Sequence, residues 1–413
     1  MVGKTENGSK QIWTKGTAEL GQPTPPNENT IFEIGSISKV FTGILLADLV
    51  LDGTVSLTDP ISQYLPELES KPTGSITLVE LSTHTSGLPR LPTNFSPSNL
   101  MDPYADYTED MLLEFLVSHP LGDHPTEFSW DNYSNLGVGL LGYILTKATG
   151  LSYEELLSSR ITSKLDMRDT VVALNAEQVG RFARPYNGAL EEVLPWDLSV
   201  LVGAGGIRST LKDLMKFVEA NLNPDNTSIA RALKLAQQVQ QTNGTDSIGL
   251  GWGISESGNF IVKGHGGGTG GFRSYVGINS ATNTGLAYLT NTSSDLKCVG
   301  KVVLWGSECT PEFGYPVPDA ILDLYVGTYK DSTGIEIIIT RRNKYLIYEI
   351  VGQEKNRMES LSESKFNIFN IATIEFEKDT NDHVPYFTLT QGEYVGKFYR
   401  VEESDQGEPE TLR

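Results

Sequence analysis

A serine and, three positions later, a lysine stand at the start of an apolar segment, in IFEIGSISKVFTG at residues 31–43. On a helix, residues three positions apart share one face, so Lys39 would lie beside Ser36. Burial lowers the pKa of a lysine, and an uncharged amine can accept the proton of a neighbouring hydroxyl. The pair could therefore create a nucleophilic serine, although Ser36 could equally be only the N-cap of the helix.

The same S-x-x-K spacing recurs along the chain, so the spacing alone is a weak signal. The pairs are Ser36/Lys39, Ser209/Lys212, Ser294/Lys297 and Ser362/Lys365. The last three lie in polar or amphipathic surroundings, which predict a solvated serine and a solvated lysine. The first pair alone has apolar sequence on both sides. We therefore single out Ser36 and Lys39 as the reactive pair.

Tyr133 and Asn135 stand in FSWDNYSNLGVG, the one Y-x-N sequence of the chain. The segment 136–150 that follows is apolar nearly all round, which predicts a buried helix with Gly150 as its C-cap. A tyrosine held near an ammonium releases its proton more easily and can act as a general base. The alternative interpretation is a tyrosine packed against the helix start and a turn asparagine.

His265 begins a glycine-dense stretch, KGHGGGTGGFRSY, in a region that predicts strands. Glycines let a substrate approach a strand edge closely and leave backbone N–H groups free to donate. A phosphate-binding loop is not indicated, because no helix opening with GK[ST] follows. A glycine-rich hairpin with an incidental histidine remains the alternative.

These residues need a scaffold, and the sequence predicts an α+β fold. An early strand at 10–20 and later strands at 247–292 would form one antiparallel sheet flanked by helices, with a helical region at 40–240 inserted between them. Further helices are predicted at the following places: 111–119, 211–222 and 295–306. We assign residues 1–310 to this first domain.

A proline-rich linker at 311–320 marks a boundary. Beyond it, at 321–413, short strands follow one another and predict a small antiparallel β domain, barrel- or sandwich-like, with a frayed charged end. This domain could shape access to the site or contact other subunits, or it could be a passive folded tail.

Composition excludes several classes of function. The net charge of −20 argues against nucleic-acid binding, and no segment is apolar enough to span a membrane. The polar start lacks a signal peptide, so we expect a cytosolic chain or one trimmed of its export signal. Cys298 and Cys309 are expected to be free buried thiols rather than one bridge. The histidines have no metal-binding spacing, and neither a metal nor a cofactor is indicated.

Taken together, the motifs Ser36–Lys39, Tyr133–Asn135 and His265–Gly267 resemble the three-part signature of the serine β-lactamase and DD-peptidase superfamily. Their order and spacing suit its class C-like branch, which includes class C β-lactamases, D-alanyl-D-alanine carboxypeptidases, D-aminopeptidases and β-lactamase-fold esterases. The resemblance covers roughly 10–307 and extends to stretches such as TLVELSTHTSGLP at 77–89. It implies a β-lactamase/transpeptidase-like fold.

The resemblance also implies roles for individual residues. Ser36 would be the acylated nucleophile, and Lys39 would help to remove its proton. Tyr133 would be the general base and acid that serves the leaving group and the deacylating water. Asn135 would hydrogen-bond Lys39 and the substrate amide. The backbone N–H groups of Ser36 and Gly268 would form the oxyanion hole.

The chain departs from the family pattern at the third motif. His265 stands where many members carry lysine, and Gly266 replaces a threonine, so Gly267 and Gly268 follow without the usual grip on a substrate carboxylate. Arg273 is a candidate substitute partner for that carboxylate, or it could be a surface residue. Members also carry a helix and a strand ahead of residue 11, so we expect a truncated chain or a lost edge element.

The resulting prediction is a serine hydrolase without metal or cofactor, acting on small-molecule or peptide substrates. The leading candidate substrates are D-alanyl peptides, as for a carboxypeptidase or penicillin-binding protein. Hydrolysis of β-lactams belongs to the same leading prediction. The alternatives are an esterase for short acyl esters and a catalytically silent penicillin sensor. Action on peptidoglycan peptides would imply a periplasmic or extracellular location.

Overall fold

The computed structural model describes residues 1–122, 127–244, 246–292, 296–308, 315–342, 344–351, 355–368, 372–392 and 394–401. The chain divides into two compact units. One comprises Met1–Tyr186 and Glu192–Cys309, and the other comprises Asn187–Glu191 and Thr310–Arg413. Each unit has its own hydrophobic core.

The described strands of the first unit form a large antiparallel sheet and one small separate pair. They are β1 (Val2–Glu6), β2 (Ser9–Trp13), β3 (Ile31–Glu33), β4 (Arg208–Thr210), β5 (Gln241–Thr242), β6 (Asp246–Ile248), β7 (Gly253–Ser257), β8 (Phe260–Gly268), β9 (Arg273–Asn279) and β10 (Thr284–Thr290). The large sheet has the order β2-β1-β10-β9-β8-β7-β6-β5, and β3 pairs with β4. Strands from the start of the chain are thus hydrogen-bonded to strands from its later part.

The helices of the first unit lie mostly between β3 and β5 in the chain. They are α1 (Ser38–Leu51), α2 (Leu78–Ser82), α3 (Glu109–Ser118), α4 (Asn135–Thr149), α5 (Tyr153–Leu157), α6 (Ala176–Val179), α7 (Leu211–Leu222), α8 (Ala230–Ala236) and α9 (Lys297–Trp305). Short 3-10 turns include Gly35–Ile37, Trp130–Asn132 and Ser199–Ala204. The predicted helix at 211–222 is confirmed to the residue, and Gly150 caps α4 in the left-handed conformation, with φ 71°.

At the start of the chain, the prediction of a single strand over 10–20 is wrong. Asn7 and Gly8 both have positive φ, 50° and 81°, and close a tight hairpin between β1 and β2. β2 then ends at Trp13. Because β1 pairs with β10, strands precede residue 11, and the expected loss of such an element is wrong too.

Helices α7 and α9 cover opposite faces of the large sheet. On β10, Gly285 contacts Val218 of α7, whereas the next residue, Leu286, packs with Leu304 of α9. Successive strand residues point to opposite faces, so the two helices sandwich the sheet. The amphipathic pattern of α7 has its apolar stripe buried in this contact.

Helix α1 is buried along nearly its whole length and packs against both α4 and α8. Glycines permit its closest approach. A Cβ on Gly43 would lie 2.1 Å from the carbonyl oxygen of Leu250, a distance that the backbone cannot tolerate. In the same manner, a Cβ on Gly142 of α4 would lie 2.9 Å from Gly203 Cα. Helix α1, which follows Ser36, is thereby closely packed against its neighbours in the core.

The second unit contains one described helix and an antiparallel sheet. Its elements are α10 (Asp319–Tyr325), β11 (Gly327–Lys330), β12 (Glu336–Arg342), β13 (Tyr345–Ile350), β14 (Asn356–Arg357), β15 (Glu359–Ser360), β16 (Lys365–Ile368), β17 (Ala372–Glu377), β18 (Tyr386–Gln391) and β19 (Tyr394–Arg400). The sheet order is β14-β13-β12-β11-β19-β18-β17-β16-β15. Its two outermost strands are joined by Met358 alone, so the sheet nearly closes into a barrel, and the barrel-like prediction is confirmed.

Two predictions for the later part of the chain are wrong. The run of strands expected from residue 321 begins only at Gly327, because Asp319–Tyr325 is helical and buries Leu322 and Tyr325 against the barrel core. Cys298 is disulfide-bonded rather than free. The described residues do not include Ser294, Cys309, part of the predicted linker (311–314) or the predicted frayed end (402–413). None of the helices that the structure describes is long and apolar enough to cross a membrane.

Replacing Gly43 by alanine should destabilise the first unit by roughly 1–3 kcal/mol, because the added methyl group collides with the Leu250 backbone. Gly300→Ala is the matched control. It also lies in a helix, but a Cβ there meets no atom within 4 Å, so alanine should stabilise by about 0.5–1 kcal/mol. Denaturant unfolding measures both changes, and equal effects would contradict the packing of α1.

Candidate active site

Ser36 lies in the 3-10 turn Gly35–Ile37, between β3 and α1. It is not the cap of the helix, because the N-cap residue of α1 is Ile37 and no side chain caps that end. The alternative interpretation of Ser36 as only an N-cap is therefore wrong. Its hydroxyl is half-buried and lines a cavity of about 610 Å³.

Lys39 is the buried lysine that the sequence predicts, with 1% of its surface exposed. Its Nζ lies 3.0 Å from Ser36 Oγ, 2.9 Å from Asn135 Oδ1 and 2.7 Å from the carbonyl oxygen of Ala204. Burial, and then the nearby positive charge of Arg90, hold the pKa of Lys39 well below its ordinary value. The side chain therefore favours its uncharged form.

The three partners of Lys39 suit a charged or an uncharged amine. The Asn135 Oδ1 and the Ala204 carbonyl oxygen can only accept, so each takes one N–H of Nζ. The third contact joins Nζ to Ser36 Oγ, with Nζ as the donor. An uncharged amine, which has two N–H donors and one lone pair, could instead accept the Ser36 proton at this contact.

Tyr133 follows the 3-10 turn Trp130–Asn132 and presents its ring to Lys39, whose Nζ is 4.9 Å from the ring centroid. Burial raises the pKa of Tyr133 to about 12, although the Ser36 hydroxyl and the Arg90 guanidinium both lower it. The phenol thus keeps its proton at neutral pH. Asn135, two residues later, begins α4.

Two residues that the sequence analysis did not select support Tyr133. His84, with φ 59°, accepts a hydrogen bond at Nδ1 from the Ser134 N–H, and its ring centroid lies 4.4 Å from that of Tyr133. The Arg90 guanidinium lies over the same ring, at 5.2 Å from its centroid. The backbone carbonyl oxygen of Arg90 accepts a hydrogen bond from the Asn135 N–H. The stretch 77–89 contains His84 and ends next to Arg90, so it was the available signal.

His265 lies on β8 and is buried, with its ring 6.2 Å from that of Tyr133. Burial, and then the proximity of Lys39, lower the pKa of His265 to about 4. Its Nδ1 is 2.6 Å from the Gly266 carbonyl oxygen. A carbonyl oxygen can only accept, so Nδ1 carries the proton and Nε2 holds the lone pair.

The glycines after His265 pack directly against the turn that carries Ser36. A Cβ on Gly35 would lie 2.6 Å from the Gly268 backbone nitrogen, and a Cβ on Gly267 would lie 2.0 Å from the Ile34 carbonyl oxygen. Gly35 also has φ 48°, a conformation that favours glycine. The backbones of residues 35–36 and 267–268 therefore run side by side next to the Ser36 hydroxyl.

Arg273 opens β9 opposite Gly268 and lines the same cavity as Ser36. Gly271 lies before the strand. Nη1 of Arg273 donates to the carbonyl oxygens of Thr269 and Phe272, at 2.7 and 2.8 Å. The described lining of the cavity contains Arg90 and Arg273 but no aspartate or glutamate.

A metal site is not part of this arrangement as far as the structure describes it. Among the described residues, no three His, Cys, Asp or Glu side chains come close enough together to hold a metal ion. The candidate residues Ser36, Lys39, Tyr133 and Asn135 are instead joined by direct contacts, with His265 and Gly268 beside them.

The helix-flanked sheet and this serine–lysine–tyrosine cluster define a protein of the β-lactamase and transpeptidase type. The family model described as Beta-lactamase matches residues 5–301, and the chain belongs to that family. The family resemblance recognised in the sequence is thereby confirmed.

Several relatives align with the chain. A β-lactamase of Escherichia coli K12 is 31% identical over 251 residues, which are 59% of this chain and 63% of that protein, so the chain spans just under two thirds of that relative. The D-alanyl-D-alanine-carboxypeptidase/endopeptidase AmpH of the same organism is 30% identical over 70% of this chain and 78% of its own. Penicillin-binding protein 4* of Bacillus subtilis is 27% identical over 96% of this chain and 91% of its own.

Solved structures agree with these relatives. A class C β-lactamase superposes with a TM-score of 0.66 and 26% sequence identity, covering 75% of this chain and 90% of its own. The predicted α+β fold of the β-lactamase/transpeptidase type is therefore confirmed.

We expect His265 to remain uncharged down to about pH 4, because burial disfavours its imidazolium form. Nitrogen NMR of the imidazole groups, with His265→Gln to assign the signal, would follow the titration between pH 8 and pH 4. The Nδ1–H tautomer should dominate throughout. A titration midpoint near the ordinary value of 6.5, or an Nε2–H tautomer, would contradict the described environment.

Proposed function

We propose that the protein is a serine hydrolase that forms an acyl-enzyme on Ser36 and acts first on D-alanyl peptides and related β-lactams. The contact between the Lys39 amine and the Ser36 hydroxyl carries this proposal, because it supplies the serine with a built-in proton acceptor. The membership of the chain in the Beta-lactamase family supports this proposal.

Acylation starts with the transfer of the Ser36 proton to the lone pair of Lys39. Ser36 Oγ forms a bond to the substrate carbonyl carbon, and the carbonyl oxygen becomes an oxyanion. The N–H groups of Ser36 and Gly268, on neighbouring backbones, stabilise that oxyanion. Removing one such donor typically costs about 10²–10³ in kcat.

The leaving group then departs with a proton from Tyr133. Because the pKa of Tyr133 is raised to about 12, the phenol holds a proton to donate at neutral pH. The bond between the acyl carbon and the leaving nitrogen or oxygen breaks as that atom is protonated. At this stage Lys39 is charged and Tyr133 is a phenolate, so the proton count is conserved.

Deacylation reverses these transfers. The Tyr133 phenolate takes a proton from a water molecule, whose oxygen attacks the acyl carbon, and Lys39 returns its proton to Ser36 Oγ as the ester bond breaks. Asn135 keeps Lys39 in place through its Oδ1. Each residue ends in its starting protonation state, as a catalytic cycle requires.

The charge of the cavity favours an anionic substrate. Arg90 lines the same cavity as Ser36 and lies over the Tyr133 ring, so a carboxylate on the substrate would be attracted towards it. D-alanyl peptides and β-lactams both carry such a carboxylate. The relatives named D-alanyl-D-alanine-carboxypeptidase/endopeptidase AmpH and penicillin-binding protein 4* support this substrate class. Action on peptidoglycan peptides would place the protein in the periplasm or outside the cell.

An esterase is the second candidate. The neutral His265 and the small Gly266 supply neither a fixed charge nor a hydroxyl for a carboxylate on β8, which suits uncharged esters. A silent penicillin sensor is the weaker alternative, because it would not need Lys39 uncharged beside Ser36.

Intact mass spectrometry after incubation with a fluorescent penicillin and with p-nitrophenyl acetate tests the proposal. The wild type should gain the mass of the penicillin on one residue, and Ser36→Ala should gain none. A long-lived adduct identifies a DD-peptidase, rapid release a β-lactamase, and ester turnover without capture an esterase. Ser362→Ala, from a look-alike pair, should behave as the wild type. Absence of both adduct and turnover in the wild type would overturn the proposal.

The pH dependence of turnover tests the role of Lys39. Its pKa is lowered, so the uncharged base exists above that pKa and is lost as the pH falls through it. We expect kcat/KM to rise with pH to a plateau. Lys39→Arg, which stays charged, should lose about 10²–10⁴-fold at every pH. The exposed Lys212→Arg is the matched control and should keep the wild-type profile. Equal profiles for all three proteins would rule out Lys39 as the base.

A further inference from the structure

Trp196 forms one wall of the site, and the mechanism above does not use it. Its side chain lines the cavity that contains Ser36. A Cβ on Gly270 would lie 3.0 Å from Trp196 Nε1, so the indole lies against the turn that follows Gly268. On its other side, its ring centroid is 5.4 Å from that of Tyr104.

The backbone of Trp196 is held at both of its polar groups by one buried ion pair. Its N–H donates to Glu33 Oε1 at 2.9 Å, and its carbonyl oxygen accepts from Arg208 Nη2 at 3.0 Å. Glu33 and Arg208 are themselves 3.3 Å apart, with side-chain exposures of 4% and 17%. We call this arrangement the Glu33–Arg208 clamp.

The clamp belongs to the same element that delivers the nucleophile. Glu33 on β3 and Arg208 on β4 are register partners in the small sheet, and β3 leads directly into the turn that carries Ser36. The position of the indole is therefore fixed relative to the Ser36 hydroxyl by hydrogen bonds rather than by loop packing alone.

We propose that Trp196 limits the size of the acyl substituent that lies next to the acyl carbonyl, and that Glu33 and Arg208 are positioning residues that hold this wall in place. The inference rests on the proposed acyl transfer to Ser36 and specifies its substrate class. The site takes a small acyl substituent, of about methyl size, next to Ser36.

The geometry assigns Trp196 to the acyl side. The leaving group must reach Tyr133, its proton donor, so it extends towards Tyr133 and His265. A second, small cavity of about 20 Å³ adjoins Ser36 and is lined by Trp196, Tyr104 and Asn135, and its described lining does not include Tyr133 or His265. The acyl substituent points into that confined space.

Glu33 makes the clamp sensitive to pH near neutrality. Burial raises the pKa of Glu33 to about 7, against the opposing effects of Arg208, Thr269 and the Trp196 N–H. Of the three groups that lower the pKa of Glu33, Arg208 is the charged one. The Thr269 hydroxyl faces the carboxyl without completing a hydrogen bond. Below about pH 7, the protonated carboxyl loses its attraction to Arg208 and can donate to Thr269 instead, which loosens the clamp.

The test compares kcat/KM for p-nitrophenyl acetate with kcat/KM for p-nitrophenyl phenylacetate, between pH 6 and pH 8. The two esters share a leaving group, and the ratio cancels the titration of Lys39 because both reactions use the same base. We expect the wild-type preference for acetate to be several-fold greater at pH 8 than at pH 6. A ratio that does not change with pH would overturn the role of Glu33.

Variants separate the wall from the clamp. Trp196→Ala should lower the preference for acetate by about tenfold, the scale of a hydrophobic pocket contact. Glu33→Gln should show a low preference that no longer changes with pH. The exposed Trp13→Ala is the matched control and should leave the ratio and its pH dependence unchanged. An unchanged ratio in Trp196→Ala would overturn the inference even if Glu33→Gln fails to fold.

Failure of the inference and failure of the proposed function give different results. If the wild type hydrolyses neither ester and forms no acyl-enzyme by mass, the proposed function fails. If it hydrolyses both esters and the ratio does not respond to Trp196→Ala, the proposed function stands and Trp196 is not the acyl-side wall.

Discussion

The burial of one lysine, Lys39, is the constraint on which the rest of the first unit depends. A buried ammonium costs several kcal/mol unless it is paired with an opposite charge, and Lys39 has no acidic partner among the described residues. The fold resolves this by giving Nζ three hydrogen-bond acceptors: Asn135 on α4, Ala204 in the turn Ser199–Ala204 and Ser36 in the turn before α1. Three distant parts of the chain must therefore meet at a single nitrogen, and the glycine contacts of α1 and α4 are what allow them to meet.

A second constraint is the close approach of two backbones at the edge of β8. The two backbones can touch only because residues 35 and 267 have no side chain: a Cβ on Gly35 would meet Gly268, and a Cβ on Gly267 would meet Ile34. The glycine-dense sequence after His265 is thus a steric requirement of the fold as much as a feature of the chemistry. The same turn is tied to Trp196 through the Glu33–Arg208 clamp, so the nucleophile, the strand edge and the wall form one rigid assembly.

The sequence revealed the family and fold, and it selected the residues that the structure gathers around Lys39. It could do so because the Ser36–Lys39 pair is local and its apolar flanks are visible in one dimension. His84, Arg90 and Trp196 were missed because their importance comes from contacts between distant segments, with no spacing rule to expose them. The β1–β2 hairpin was different: Asn7-Gly8 is a strong hairpin signal that was overlooked in a polar stretch. Helix α10 was misjudged because its apolar residues also suit a short strand.

The two sheets differ in how much unpaired edge they leave open. In the second unit, the outermost strands β14 and β15 are two residues each, so little backbone is available for another chain to pair with. The large sheet of the first unit ends instead at β2, five exposed residues that include Ile12 and Trp13. Lys10, in the same strand, places a charge on that edge. Among the described strands, β2 is the longest one at a sheet edge, so strand addition between copies of the chain would meet the charge of Lys10 there.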